Sequence, residues 1–355
     1  MCAVRLMSET GENLDLLIIG AGPAGLSAAD VAAREGLNYL VVEKGLIADT
    51  IYRYPIGRTV FSTTNELELR EGALRPCREK PTREELLSYY VRFALEQNLR
   101  IHTGEEVTAI ERPATTATEA TATDALMTDA RAGFLVRTTR AEYRTARLLV
   151  AVGAMARPRR LGVAGEDLPK VRHLFVEPYA YVRRDALVVG GGNSAAEAAL
   201  FLAEEGAHAS LAIWRADWEN RDPKMNAIKH WVRTPLEQQI EQGRLRLILF
   251  KEILEITERS VRLTTDDGQT HTLPNDALFV LIGSDADLTL LARLGVEITR
   301  DGLAPMPVYN PDTFETNIPG LYVAGHFTRA RHIKQAISVP RHVVPLIAQS
   351  LRTTV

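Results

Sequence analysis

Two glycine-rich stretches carry residue types and spacing that can do chemistry. The first is Gly20-Ala21-Gly22-Pro23-Ala24-Gly25, set between the apolar run Leu16–Ile19 and Leu26. In such a G-x-G-x-x-G pattern Gly20 permits a tight turn, Gly22 lets the backbone approach a pyrophosphate, and Gly25 lets a helix pack against the preceding strand. The N–H groups and dipole of that helix start favour phosphate, with Pro23 and Ala24 in the same stretch. Glu43, with Lys44 beside it, closes the next apolar run, Leu37–Val42, about 20 residues beyond the glycines. A carboxylate there accepts hydrogen bonds from ribose hydroxyls.

The second stretch, Gly190-Gly191-Gly192-Asn193-Ser194-Ala195, follows Leu187–Val189 and precedes a helix to Glu205 and a strand, Ser210–Trp214. Here the closing residue is Arg215, with Arg221 and Lys224 nearby. An acid at this position would repel a ribose 2′-phosphate, whereas arginine binds it with a bidentate fork. The second unit is therefore expected to take NADPH in preference to NADH. A solvated charge at a strand end is the plainer role for Arg215.

Thiol chemistry has little to work with. Cys2 and Cys77 are the chain's two cysteines and form no C-x-x-C pair. Arg75, Arg78 and Lys80 would lower the pKa of Cys77, as a thiolate nucleophile requires, although a lone surface or packing cysteine is the commoner case.

These residues need strands and helices to aim them. The 355 residues suit two domains, each with its own core. The expected class is α/β, with two Rossmann-like dinucleotide-binding domains and the second inserted in the first. The boundaries read as 1–158, 159–286 and 287–355. Thr59–Thr64 reads as extended. Thr82, with Glu85 three residues on, caps a helix whose apolar stripe includes Leu86, Tyr90 and Ala94. Asn98–Ile101, Val107–Glu111 and Phe134–Thr138 read as strands. The alanine- and threonine-rich residues 112–133 read as a mobile hairpin extension between two strands, with a domain linker as the alternative. Three further apolar runs end in Gly153, Gly283 and Gly325, and Gly325 is followed by His326. A last helix begins near Lys334, interrupted or kinked at Pro340 and Pro345.

Composition excludes some functions. The net charge of −3 offers no reason for nucleic acid or an anionic membrane as partner. No apolar run approaches a membrane span, and residues 1–12 lack a signal-peptide pattern. With so few cysteines, the expected location is cytoplasmic.

The paired glycine units and the block Thr316-Asn317-Ile318-Pro319-Gly320-Leu321-Tyr322-Val323-Ala324-Gly325-His326 resemble the two-dinucleotide-domain flavoprotein reductases of the thioredoxin-reductase type. That resemblance implies FAD on the first unit and NADPH on the inserted one. It places Gly20, Gly22 and Gly25 at the FAD pyrophosphate, Glu43 at the adenosine ribose and the Val107 backbone at the adenine. It also places Gly325 and His326 at the pyrophosphate and ribityl chain, and Gln335-Ala336-Ile337 at the flavin pyrimidine edge. Tyr52, Tyr54, Phe61 and Ser62 become candidates for the flavin surroundings, and residues 157–163 and 282–288 become candidate hinges. A homodimer or larger assembly is implied.

Within that group the chain is similar to the YpdA-type bacillithiol disulfide reductases. The similar segments include Ile51-Tyr52-Arg53-Tyr54-Pro55, Phe61-Ser62-Thr63, Lys80-Pro81-Thr82-Arg83-Glu84, Gly165-Glu166-Asp167-Leu168-Pro169 and Ala324-Gly325-His326. Two departures matter. Where thioredoxin reductases carry their dithiol, this chain reads His173-Leu174-Phe175-Val176-Glu177-Pro178-Tyr179. Where YpdA-type enzymes carry a cysteine in the first glycine motif, it has Ala24, which cannot attack a disulfide. No side chain is assigned as acid, base or nucleophile. The expected activity is transfer of electrons from NADPH through FAD to an external acceptor. That acceptor is a low-molecular-weight disulfide or a small redox protein such as ferredoxin or flavodoxin. An FAD- and NADPH-binding redox sensor is the non-enzymatic alternative.

Overall fold

A computed structural model describes residues 10–113, 133–222, 228–302 and 304–352. They form two compact units. One comprises Met1–Tyr52, Gly57–Ala156 and Asp285–Val355; the other comprises Arg53–Ile56 and Arg157–Ser284.

In the first unit, β1 (Thr10–Ile19) enters the glycine turn, α1 (Pro23–Arg34) follows, and β2 (Tyr39–Glu43) lies parallel to β1. β3 (Ile101–Thr103) extends the sheet past β2, and β6 (Glu142–Val150) flanks β1 on its other side. The far edge of β6 is shared. Its first half pairs antiparallel with β5 (Phe134–Thr138), itself paired with β4 (Val107–Glu111). Its last residues pair in parallel with β14 (Leu321–Val323). Residues 114–132, most of the expected hairpin extension, lie outside the described residues.

Because β1 is central and covered on both faces, Leu14 and Leu16–Ile19 are all buried. Leu17, Ile19, Val42, Val150 and Val323 face one core, which also holds Leu291 and Phe327. Leu16, Ile18, Val41 and Leu149 face the other, under the small residues Ala24, Ala28 and Ala29 of α1. Against α1 lies α6 (Ile333–Arg352), a single helix containing both Pro340 and Pro345. The interruption expected at those prolines does not occur. Each removes one backbone donor, while burial of Pro340, Val343, Val344, Ile347 and Ala348 holds the helix in place.

Two smaller expectations also change. The strand expected from Asn98 starts only at Ile101, because Asn98 takes a left-handed conformation (φ 47°) after α2 (Arg83–Glu96). Thr59 makes a single bridge to Thr82, but Thr63 then caps a short helix, Thr64–Leu67, instead of continuing extended. The capping box before α2 forms: Glu85 N–H donates to Thr82 Oγ1 at 3.2 Å, and the Glu85 carboxylate accepts from Thr82 N–H at 2.8 Å.

The second unit repeats the opening logic. β8 (Asp185–Val189), α3 (Asn193–Glu204) and β9 (His208–Ile213) form a parallel strand–helix–strand unit. After α5 (His230–Glu241), β10 (Leu245–Ile256) pairs parallel with β9, and β13 (Ala277–Val280) pairs parallel with β8. β7 (Val171–Arg172) edges the sheet beside β13. On the opposite side β11 (Ser260–Thr265) and β12 (Thr270–Pro274) form an antiparallel hairpin on β10. The architecture is α/β, with the second sheet's sequence inserted between strands of the first.

The glycine turn makes a direct stability prediction. A Cβ on Gly25 would overlap the carbonyl oxygen of Gly20, backbone against backbone, so α1 would have to leave its strand. Gly25→Ala should cost about 2–4 kcal/mol, read as a lower urea midpoint. Gly22→Ala should lower that midpoint much less, costing about 1 kcal/mol or under as an N-cap change, because Gly22 has φ −75° and open space where its Cβ would lie.

Candidate dinucleotide sites

Register brings the first set of residues to one sheet edge. Gly20 leaves β1 with φ 105°, and a Cβ there would press on the Ala151 carbonyl. Gly22 is the N-cap of α1; no side chain caps the helix, and no acid lies in its first turn. The helix start therefore offers N–H groups to an external anion. Pro23 occupies the first helical position, where no donor is lost.

Glu43 braces this turn. Its carboxylate accepts from Ala21 N–H at 2.8 Å and from Gly45 N–H at 2.7 Å. A carboxylate has roughly four acceptor positions, so capacity for ribose hydroxyls remains. Lys44 beside it is exposed. Glu105 N–H donates to the Glu43 carbonyl at 2.9 Å, bringing the chain just before the buried Val107 to this strand end. Gly153 lies beyond β6 with φ 69° and open space around it.

The chain's return completes the group. A Cβ on Gly325 would sit 3.3 Å from that of Ala24. Ser27 Oγ donates to the Ile337 carbonyl at 2.7 Å, fastening α1 to α6. Ala336 and Ile337 are buried, while Gln335 is exposed. Ala336 N–H already donates to the His332 carbonyl at 2.9 Å. Within Gln335–Ile337, the N–H preceding this helical bond belongs to Gln335.

His326 is reached by solvent, yet neighbouring atoms crowd it. Desolvation, with the charges of Arg331 and His332, lowers its pKa. A neutral imidazole still donates one N–H.

The loop candidates are engaged by arginines. Arg83 lies 5.2 Å over the Tyr52 ring and Arg58 lies 5.0 Å over the Phe61 ring. Ser62 is half-buried. Ala48 N–H donates to the Ala21 carbonyl at 2.9 Å, tying the loop before Tyr52 to the glycine turn. Tyr54 falls in the other unit.

In the second unit Gly190 has φ 150°, and a Cβ there would press on the Leu281 carbonyl. Gly192 caps α3 with open space before it, again without a side-chain cap. Asn193 accepts from Lys229 N–H at 2.8 Å, Ser194 is exposed and Ala195 is buried. Gly283 has φ 100°, and its carbonyl accepts from Arg159 N–H at 3.0 Å.

Arg215 opens α4 (Arg215–Glu219) at the end of β9, but it does not stand alone. Its Nε and Nη2 engage the Asp266 carboxylate, and Nη1 donates to Glu219 at 2.7 Å. Its hydrogen bonds to Glu219 and Asp266 raise its pKa further. Arg221 pairs with Glu237 at 2.8 Å, and Lys224 lies outside the described residues. Asp217 reaches over the glycine turn, where a Cβ on Gly191 would strike its carboxylate; desolvation raises its pKa. Asp217 and Glu219 were visible beside Arg215 in sequence. Asp266, about fifty residues on, carried no signal.

Cys77 reverses an expectation. Its thiol is exposed, and its N–H donates to Glu85 at 2.8 Å. A side-chain hydrogen bond and the charge of Glu85 raise its pKa, outweighing Arg78. The lowering expected from Arg75, Arg78 and Lys80 does not occur. Among the described residues no histidine, cysteine and carboxylate cluster could hold a metal, and no helix is long and apolar enough to cross a membrane.

Comparison with known proteins gives the family. A family model described as pyridine nucleotide-disulphide oxidoreductase matches residues 17–325. The chain is 33% identical over 309 residues to the bacilliredoxin reductase Bdr of Bacillus subtilis, covering 87% of this chain and 88% of that one. It is 29% identical over 319 residues to a ferredoxin–NADP reductase of Ignicoccus hospitalis, covering 89% and 90% respectively. The solved bacillithiol disulfide reductase Bdr (YpdA) from Staphylococcus aureus superposes with a TM-score of 0.84 at 29% identity, over 96% of this chain and 99% of that one. A thioredoxin reductase from T. acidophilum shares the fold, with a TM-score of 0.72 at 20% identity over 96% and 99%. The chain belongs to the pyridine nucleotide-disulphide oxidoreductase family.

Proposed function

We propose that the chain is an FAD-dependent NADPH oxidoreductase delivering electrons to an acceptor outside itself. The observation that carries this reading is duplication. Two strand–glycine–helix units each present a helix start with no side-chain cap and open space at its N-cap glycine, Gly22 or Gly192. The first unit fits FAD. Gly20, Gly22, Pro23, Ala24 and Gly25 receive its pyrophosphate, Glu43 and Lys44 its ribose, and the backbone near Val107 its adenine. Gly153, Gly325 and His326 border the same edge, with Tyr52, Phe61 and Ser62 nearer the acceptor. Gly190, Gly192, Asn193, Ser194, Ala195, Arg215, Arg221 and Gly283 serve NADPH.

FAD, when bound, supplies the acceptance of hydride from NADPH and the onward release of electrons. The chain's residues position the two cofactors and tune charge. Gln335 N–H, with the positive end of α6 behind it, stabilises negative charge at the flavin pyrimidine edge. His326 acts as a neutral donor.

The acceptor follows from the thiols. Ala24 has none, and Glu85 raises the pKa of the Cys77 thiol. Neither favours attack on a disulfide, which supports direct release to a one-electron carrier such as ferredoxin or flavodoxin. The 33% identity to Bdr supports a second reading, a bacillithiol-type low-molecular-weight disulfide as acceptor. We place the enzyme in the cytoplasm as a homodimer.

An anaerobic titration tests the function. The purified protein should be yellow, and stoichiometric NADPH should bleach the flavin band faster than NADH. Colourless protein, or flavin left oxidised by NADPH, rejects the reading. Gly22→Ala should purify with less FAD, while its apoprotein loses far less stability than that of Gly25→Ala. Reoxidation by ferredoxin, flavodoxin or bacillithiol disulfide then identifies the acceptor. Cys77 should alkylate more slowly than a model thiol at pH 8 and faster after Glu85→Gln; a Cys77 already faster than the model thiol would restore it as a candidate nucleophile.

A further inference from the structure

We propose that Asp266 and Glu219 set the discrimination between 2′-phosphorylated and plain dinucleotides by competing with the 2′-phosphate for Arg215. The inference rests on the proposed use of the second unit for NADPH.

The geometry is that of an occupied fork. A guanidinium binds phosphate best through two parallel N–H bonds. Three nitrogens of Arg215 already point at carboxylates: Nε and Nη2 at Asp266, and Nη1 at Glu219. One positive charge faces two negative ones before any nucleotide arrives, with Asp217 and Asp267 close by in sequence. An incoming 2′-phosphate therefore meets a partly occupied guanidinium: it must displace a carboxylate, or share the cation with one and tolerate that charge nearby.

The two competitors are unequal. Glu219 is one turn along the same short helix, and its side chain is 57% exposed, so water and salt screen it and it can swing away. Asp266 is 27% exposed and sits where β11 turns into β12. That turn is fastened: Asp266 N–H donates to the Leu249 carbonyl at 3.2 Å, Gly268 N–H to the Thr265 carbonyl at 3.0 Å, and Thr265 Oγ1 to Asp267 at 2.6 Å. Its backbone cannot readily retreat. Asp266 is therefore the stronger brake on the 2′-phosphate, and Glu219 the weaker.

Binding of 2′,5′-ADP and 5′-AMP to the full FAD-loaded chain, measured by calorimetry, isolates the 2′-phosphate without turnover. Asp266→Asn keeps the shape and removes the charge. It should tighten 2′,5′-ADP by about threefold to tenfold and leave 5′-AMP unchanged. Glu219→Gln should act in the same direction by less, and Arg215→Ala should collapse the preference. If Arg215→Ala removes the preference while Asp266→Asn leaves it unchanged or lowers it, the competition is overturned and the NADPH assignment stands. If Arg215→Ala leaves the preference intact, the 2′-phosphate lies elsewhere and both fall.

Discussion

The hydrogen-bond register through Val150 is the constraint on which the first site depends. Val150 pairs with Ile19 on one side and Val323 on the other, all three strands running parallel. Whatever follows those residues must emerge at the same edge. Gly20, Ala151 and Ala324 do so, although the chain between Val150 and Val323 passes through an entire second unit. A one-residue slip would turn Ile19 and Val323 out of the core they share. Packing of the core and placement of the turn are thus one constraint.

Val189 does the same in the second unit. It pairs with Ala212 and Val280, so Gly190, the end of β9 and Leu281 share an edge. The Leu281 carbonyl then crowds Gly190 as the Ala151 carbonyl crowds Gly20. In both turns a neighbouring strand's backbone occupies the space of a side chain. This is why glycine is required there, independently of any ligand. Gly22 and Gly192 differ: open space surrounds them, and on the proposed reading their lack of a side chain leaves room for a pyrophosphate.

This difference marks what the sequence could convey. Glycine spacing, apolar runs and the Thr82–Glu85 capping box are local, and they disclosed both units and the helix cap. Tertiary neighbours were not legible. Burial against α1 keeps α6 continuous through Pro340 and Pro345, against their local propensity. Cys77 sits among cations in sequence, but Glu85, in the first turn of the following helix, hydrogen-bonds it and reverses the sign of its pKa shift. Arg215 suggested an open anion ligand because its competitor Asp266 arrives from a distant hairpin. Charge effects fall off with distance in space, and sequence gives that distance only within a helix turn or a tight loop.

The two closing residues, Glu43 and Arg215, point to different lifetimes for their nucleotides on the proposed reading. Glu43 is satisfied by Ala21 and Gly45 N–H groups that belong to the turn itself. Ribose hydroxyls can add to its remaining acceptor positions without breaking either bond, so little reorganisation opposes binding. Arg215 must instead exchange or share partners, because Nε, Nη1 and Nη2 each already face a carboxylate. Exchange of one ion pair for another leaves a small net gain. A pre-organised cradle suits a cofactor that stays, and a site of exchanged ion pairs suits one that arrives reduced and leaves oxidised. That division of labour is what an enzyme turning over NADPH on a resident flavin needs.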